Sequence, residues 1–478
     1  NSPKAESASL LEVEGDEFIN RIRELLFLDV EVPEAAIKLK LFGISGDGDL
    51  IRTKQRLTAR GTRNGNEFRS SAVVDATWIT VSNDEPPLLR EFALTNLVQS
   101  ELTSAPTSAF EDIAGTVLGG NPSWGQLRLG MNTWGRHIEH SLNPDFLGYH
   151  GVAVGDVDGD GLEDLYLCQP GGLPNLLFRQ QVDGTLVDVS ASSGVDWLDN
   201  STGALLIDLD NDGDADLAVA TQSSFLVMEN DGTGRFSIRR QFSGLGPGFS
   251  PTAADFDLDG DLDLFVLRYA ASGNEIGDFP TPHPFHDARN GGANVLLRNE
   301  GGFQFADVTK ESGLGENNHR FSFAASWDDV NNDGTLDLYV ANDFGPNQLF
   351  RNDGAEFVDV SLESGSQDWG FGMSATWGDY DRDGFMDLYV SSMFSSAGNQ
   401  IVAQSGFNPT MREETRQKFL KMVRGNSLLR NNKGARFSDI TQPMNEGFGG
   451  WAWGSRFADL NNDGWEYLCC QRVYFPTG

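Results

Sequence analysis

Cysteine is nearly missing from this 478-residue chain: it has three, Cys168, Cys469 and Cys470. So few thiols exclude a disulfide-stapled scaffold, and the odd count leaves at least one unpaired. Cys168 and the Cys469/Cys470 pair follow equivalent segments in the first and last copies of a repeat, so a bridge between them stays open beside the ordinary buried thiol. Positive charge is short as well. The 35 Lys and Arg face 70 Asp and Glu, giving a net charge of −35 and a pI near 4.3, which argues against nucleic acid as a partner. No apolar run reaches the length of a transmembrane helix, and no signal peptide is visible at the start. Catalytic signatures are missing too. There is no Gly-x-Ser-x-Gly, no phosphate-cradling glycine loop with Lys, and no His-Glu-x-x-His, so no enzyme is expected.

What is abundant is glycine (55 residues) and aspartate, arranged in one pattern that organises the chain. It starts at Asp156 (DVDGDGLED, then Leu165-Tyr166-Leu167) and returns at Asp208, Asp255, Asp329, Asp379 and Asp459. Positions 1, 3 and 5 carry oxygen, position 6 is Gly, position 9 is a carboxylate in five of six copies, and an apolar run follows. Hard cations such as calcium take six to eight oxygen ligands at roughly 2.4 Å, which closely spaced carboxylates on a tight loop supply. The glycine gives the positive φ that folds the loop back. An EF-hand would need Glu at position 12 between helices. Position 12 here is Leu167, Val219, Val266, Val340, Val390 or Cys470, inside strand-like runs, so that motif is rejected. Asp-Gly turns need no metal, but six copies with one spacing favour a cation.

The expected ligands are Asp156, Asp158, Asp160 and Asp164; Asp208, Asp210, Asp212 and Asp216; Asp255, Asp257, Asp259 and Asp263. They continue with Asp329, Asn331, Asp333 and Asp337; Asp379, Asp381, Asp383 and Asp387; and Asp459, Asn461 and Asp463. A carbonyl near position 7 and water would complete each shell. Tyr467 replaces the ninth-position acid in the last copy, so about five strong Ca2+ sites and a sixth weak or empty one are expected. Six bound divalent ions would bring the charge to about −23. The ions read as structural, because unscreened carboxylates repel and a cation relieves this. Weak calcium loops favour an extracellular, cell-surface or periplasmic setting.

Taken in order, residues 1–35 read as an amphipathic helix with Leu11, Phe18, Ile22, Leu25 and Leu26 on one face. Strands follow at 36–42, 50–58, 66–74 and 76–82, so 1–105 reads as a small α+β domain with a curved antiparallel sheet. Arg52, Lys54, Arg56, Arg60, Arg63 and Arg69 meet one acid there, Glu67, which suits a solvated face or a docking face for an anionic polymer. Residues 99–108 read as a linker.

From 106 to 478 two further motifs accompany the loop. One is Asn-x-Leu-Phe/Leu-Arg, at Asn175, Asn294, Asn347 and Asn426; the other is Phe-x-Asp-Val-Thr/Ser, at Phe110, Val187, Phe305, Phe357 and Phe437. With a strand before each loop (152–154, 204–207, 324–327, 375–377) they make four short strands per unit, the pattern of a propeller blade. Loop starts lie 52, 47, 74, 50 and 80 residues apart, so a blade takes about 50 residues and two blades carry insertions. Insertions are expected at about 120–146 (Trp124, Trp134, His137, His140), 270–293 (His283 and His286, a candidate metal or catalytic pair) and 394–425. The last holds a basic helix from Pro409 to Arg424, either a cap on the propeller face or a partner handle. The early Phe110–Ile113 strand would close the ring against the last blade.

The loop, Asn-x-Leu-Phe-Arg and Phe-x-Asp-Val motifs together resemble the FG-GAP/VCBS repeat family, whose propellers include the integrin α-subunit head. Within it they look most like the ASPIC/UnbV, cartilage-acidic-protein type. The resemblance covers about 110–478 and implies a mainly β fold, a seven-bladed β-propeller with six blades as the alternative, calcium in the loops, export, and adhesion or protein binding. A protein partner or a matrix or envelope component is therefore expected. The alternatives are a glycan-binding propeller of the cell envelope and a non-catalytic subunit of an enzyme complex.

Overall fold

A computed structural model describes residues 36–63, 66–80, 87–101, 111–129, 131–139, 150–246, 248–269, 281–394, 398, 401–402, 404, 406–441, 450–460 and 462–472. The helix expected over 1–35, Asn461 and His140 lie outside them. The chain divides into two compact units, Asn1–Asp112 with Ser396–Gln404, and Ile113–Ser395 with Ser405–Gly478.

The first unit holds a four-stranded antiparallel meander: β1 (Ala36–Asp47), β2 (Leu50–Arg63), β3 (Asn66–Ile79) and β4 (Leu88–Glu101). Alternation sets its faces, with Thr53, Gln55, Leu57 and Ala59 of β2 buried beside Ala72, Val74 and Ala76 of β3. The strands are longer than the sequence suggested, and the segments 66–74 and 76–79 form one strand. β4 was missed, and the segment read as a linker begins inside it. Register shifts opposite Ser71/Val73 and Thr77/Trp78 break its apolar alternation, which hid the period. On the other face, Lys54 pairs with Asp75 at 3.5 Å, so an acid on β3 partly answers the basic run of β2.

The second unit is a succession of sheets in which each repeat makes one. The first four-stranded sheet is Val152–Gly155, Asp164–Leu167, Leu176–Gln180 and Leu186–Asp188; the second is Ser201–Ile207, Asp216–Thr221, Phe225–Asn230 and Phe236–Phe242. The third is Ser250–Ala254, Asp263–Leu267, Val295–Asn299 and Phe305–Asp307; the fourth is Ser322–Asp328, Asp337–Asn342, Gln348–Asn352 and Phe357–Asp359. The fifth is Gly372–Gly378, Asp387–Ser392, Ser427–Asn431 and Phe437–Asp439, and a sixth pair joins Ala452–Ala458 to Tyr467–Arg472. The first strands of successive sheets pack side by side. Glycine allows this at Gly203, where a Cβ would stand 2.7 Å from Pro251 Cδ.

Mainly β, with repeated four-stranded antiparallel sheets, the unit is compatible with a β-propeller. Its core lies between neighbouring sheets. Tyr166, Leu177, Leu217, Val219 and Met228 fill the first interface, and Phe265, Leu296, Leu338, Val340 and Phe350 fill the third. Trp327 and Trp377 pack against such clusters.

Asparagines at the two ends of the third strands have backbone tasks. The leading asparagine caps the end of the second strand: Gln169 N–H donates to Asn175 Oδ1 (2.7 Å), Arg268 N–H to Asn294 Oδ1 (3.0 Å) and Ser392 N–H to Asn426 Oδ1 (2.7 Å). The closing asparagine ties each sheet to the loop of the sheet before it. Asn230, Asn299, Asn352 and Asn431 donate Nδ2 to the carbonyls of Val157, Leu209, Phe256 and Val330 at 2.7–2.8 Å. In Phe-x-Asp-Val-Thr/Ser the hydroxyl is the working atom: Thr309, Ser361 and Thr441 accept from the N–H of Leu296, Leu349 and Leu428 at 2.8–2.9 Å.

Three expectations are corrected. Residues 111–113 form no strand and lead into a helix over Ala114–Leu118, while Phe110, which opens the expected strand, lies outside the described residues. The basic helix starts at Glu413, not Pro409, with Glu413 and Glu414 in its first turn where the helix dipole favours acid. Its cations are used internally. Arg424 pairs with Asp439 at 2.7 Å and Lys418 sits 4.2 Å from the Trp369 ring centroid, so the helix caps its own unit. Third, none of the three cysteines is in a disulfide, and Cys168 is buried.

Asn352 tests the inter-sheet tie. Its Nδ2 also reaches the Leu336 carbonyl (3.2 Å) and its Oδ1 accepts from Ala355 N–H (2.7 Å). Asn352→Ala leaves several buried backbone groups unpaired and should cost about 3 kcal/mol, read from denaturant unfolding. Leu362→Ala, at a residue 80% exposed, should leave the curve unmoved.

Candidate metal centres

Each loop joins the first and second strands of its sheet, and its own carboxylates shape it. The position-1 Oδ2 accepts from the N–H of the position-6 glycine in all six copies, at 2.7–3.1 Å. The position-5 aspartate accepts from the N–H two residues on, at 2.8–3.1 Å. That glycine has φ between 81° and 97°, as its type predicts.

Position 4 is left-handed too, which the sequence reading missed. Gly159, Asn211, Asn332 and Asn462 suit that conformation, whereas Leu258 (φ 61°) and Arg382 (φ 60°) are strained in it. The Gly and Asn at four of the six positions were the available signal.

Position 9 is the anchor. Asp164, Asp216, Asp263, Asp337 and Asp387 are each at most 1% exposed. In the first four loops Oδ2 accepts from the N–H of loop residue 2, at 3.0–3.2 Å. In all five, Oδ1 accepts from the N–H of the third strand's last residue, at 2.7–2.9 Å. Burial outweighs these bonds and pushes Asp216, Asp263, Asp337 and Asp387 up to about 7, and raises Asp164 as well. The sixth copy has the half-exposed Tyr467 there and no such anchor.

Position 3 faces the loop interior, and this is where polar atoms go unanswered. Asp158 Oδ1, Asp210 Oδ1, Asp257 Oδ1 and Asp381 Oδ1 are buried without a hydrogen-bond partner, and so are Asp208 Oδ1 and Asp387 Oδ2. A buried acceptor left unmade costs about 1–3 kcal/mol, so these atoms mark where a cation fits. Four loops bring three carboxylate oxygens within 4.8 Å of one another: Asp156/Asp158/Asp164, Asp208/Asp210/Asp216, Asp255/Asp257/Asp259 and Asp379/Asp381/Asp387.

The fourth loop differs because Asn331 donates Nδ2 to Asp333 Oδ2 at 2.7 Å, satisfying that oxygen internally. Among the described residues no such triad forms in the fourth or sixth loop, and none includes His283 or His286. The latter ring packs on Phe419 instead. The donor set is all oxygen, without His or Cys, which suits a hard cation such as calcium and not zinc. Arg179 and Arg430 also touch this machinery, donating to Asp158 and Asp381. The Asn-x-Leu-Phe/Leu-Arg motif contained both, but nothing in the sequence tied them to the loop.

A repeat β protein with carboxylate loops between the first two strands of each sheet is the class these features define. A family model described as FG-GAP-like repeat matches residues 156–219, 208–266 and 329–390. Cartilage acidic protein 1 of Xenopus tropicalis is 33% identical over 135 residues, 27% of this chain and 21% of that protein. The Homo sapiens protein is 33% identical over 132 residues, 26% and 20% of the two chains. The matches span about a fifth of these relatives' length. The chain carries FG-GAP-like repeats over these residues and is similar to cartilage acidic protein 1 over about a quarter of its length. Among solved structures, the Photorhabdus luminescens Tc holotoxin pore aligns over 76% of this chain and 17% of its own, with 11% identity and a TM-score of 0.26.

Two outcomes follow. The raised ninth-position carboxyls have folded values above their unfolded ones, so the stability they contribute is present below pH 4 and lost as pH rises through about 7. The metal-stripped protein should therefore melt at a lower temperature at pH 8 than at pH 5. Added calcium should reverse that trend by favouring the ionised form, and a flat stripped profile refutes it. Leu258→Asn should stabilise by about 1 kcal/mol by relieving the left-handed leucine, measured as a rise in the thermal midpoint.

Proposed function

We propose that this chain is an exported, non-catalytic, calcium-binding β-propeller of seven blades that serves as a protein-binding or adhesion scaffold. The observation that carries the calcium reading is the set of buried, unpartnered carboxylate oxygens repeated in the loops. The position 1, 3, 5 and 9 side chains from Asp156 to Asp463 are the proposed ligands, with the sixth site weak for want of a ninth-position acid. Six consecutive sheets with adjacent first strands support the propeller, and so does the Phe323–Trp453 contact at 5.7 Å, which links the first strands of the fourth and sixth sheets. The FG-GAP-like repeats support the binding role. Loops of this class fill at calcium concentrations of roughly 10⁻⁵–10⁻³ M, which favours a site outside the cytoplasm.

One feature weighs against catalysis: loop carboxylates at positions 1, 5 and 9 are engaged with backbone N–H groups. No helix among the described residues is long and apolar enough to cross a membrane. Thermal unfolding with and without chelator tests the proposal. The midpoint should fall by ten degrees or more on chelation, an order-of-magnitude figure for several sites lost together, and calcium but not magnesium should restore it. An unchanged midpoint overturns it and leaves the loops as Asp-Gly turns.

A further inference from the structure

The loops share a pattern but not a neighbourhood. The difference comes from one residue, the penultimate position of the third strand, which stands beside loop position 3. In the first sheet it is Arg179, whose Nη1 lies 2.8 Å from Asp158 Oδ2; in the fifth it is Arg430, whose Nη2 lies 2.7 Å from Asp381 Oδ2. In the second sheet it is Glu229, whose negative charge acts on Asp210 and which Arg239 meets at 3.3 Å from the neighbouring strand. In the third, Arg298 turns to Glu300, donating Nε and Nη2 at 2.9 and 2.6 Å. In the fourth, Arg351 turns likewise to Asp353, at 2.7 and 2.8 Å.

The contacts at Asp158 and Asp381 have a direct consequence. Each carboxylate gives one oxygen to a guanidinium and keeps the other buried and unpartnered, so a cation entering there shares its ligand with a fixed positive charge. Asp210 and Asp257 have the same unpartnered Oδ1 and, among the described residues, no arginine in ion-pair contact, although the charge of Arg298 still acts on Asp257 from further off. Ligand charge count sets affinity in oxygen-ligand calcium sites, and like charges a few ångströms apart repel even near the surface.

We infer that the third-strand residue grades the sites. The loops of the second and third sheets take a divalent cation first, and those of the first and fifth sheets bind on the order of tenfold more weakly. This rests on the reading of the loops as calcium sites and adds their order. Stability then rises in steps across a range of calcium concentration, and Arg179 and Arg430 act as affinity-setting residues without being ligands.

Calorimetric titration of calcium into the metal-stripped full chain tests it, with wild type, the Arg179→Gln/Arg430→Gln double variant and Glu229→Gln. The wild type should show a tight and a weak class. In the double variant the weak class should tighten about tenfold, and in Glu229→Gln the tight class should weaken. Both arginines are more than a third exposed, so their neutral replacements should fold, and thermal midpoints in saturating calcium check this. Unchanged isotherms in the variants, or weaker binding in the double variant, overturn the inference while leaving calcium binding intact. A wild type that takes up no calcium overturns it together with the reading beneath it, and the two failures are distinct.

Discussion

One buried carboxylate per repeat, the ninth residue of the loop, holds this architecture together. In four loops its two oxygens take one N–H from the loop's own second residue and one from the last residue of the third strand. Where that last residue is asparagine, its side chain reaches back to the carbonyl of the preceding loop. The chain of contacts therefore runs from loop to carboxylate to asparagine to the previous loop. Apolar packing between sheets supplies the non-directional part of the stabilisation. The hydrogen bonds fix the spacing, because each buried backbone group has one partner and no substitute.

The sequence revealed the repeat because the tasks fall on residue types that cannot be exchanged. Position 6 must be left-handed and is always glycine. Positions 1 and 5 must accept backbone N–H groups at short range, which aspartate does. Most strands from Asp164 to Asp439 were legible because the motifs mark them, whereas Phe225–Asn230, Phe236–Phe242 and Ser250–Ala254 carry no such mark and were not expected. Less legible was whatever depended on geometry across the repeat. The carboxylate at position 9 read as a metal ligand, yet its first role is as a backbone pin. The arginine of Asn-x-Leu-Phe-Arg read as a strand residue, yet in two sheets it meets a loop carboxylate. Position 4 was overlooked because a left-handed Leu258 leaves no mark in composition.

β4 and the Phe110 segment mark two further limits. Leu88–Glu101 alternates over short stretches, but two register shifts change the phase, and a period that changes phase is hard to see. The residues after Phe110 carry a strand motif, and among the described residues no strand pairs with them. Sequence pattern specifies a β-strand only when its neighbour is present to pair with it.

The acidity of the chain follows from the same arrangement. A net charge of −35 would destabilise any compact state through self-repulsion, and here much of it is gathered in small loops. Backbone N–H groups offset part of it, as at Asp156, whose two oxygens meet the N–H groups of Gly159, Asp160 and Gly161. They leave one position-3 oxygen in each of four loops, the Oδ1 of Asp158, Asp210, Asp257 and Asp381, buried with no proton to accept. Removing that acidity would remove the pins, because the same side chains serve both ends. A fold built this way keeps its charge, and the unpartnered oxygens are where a metal ion could offset it.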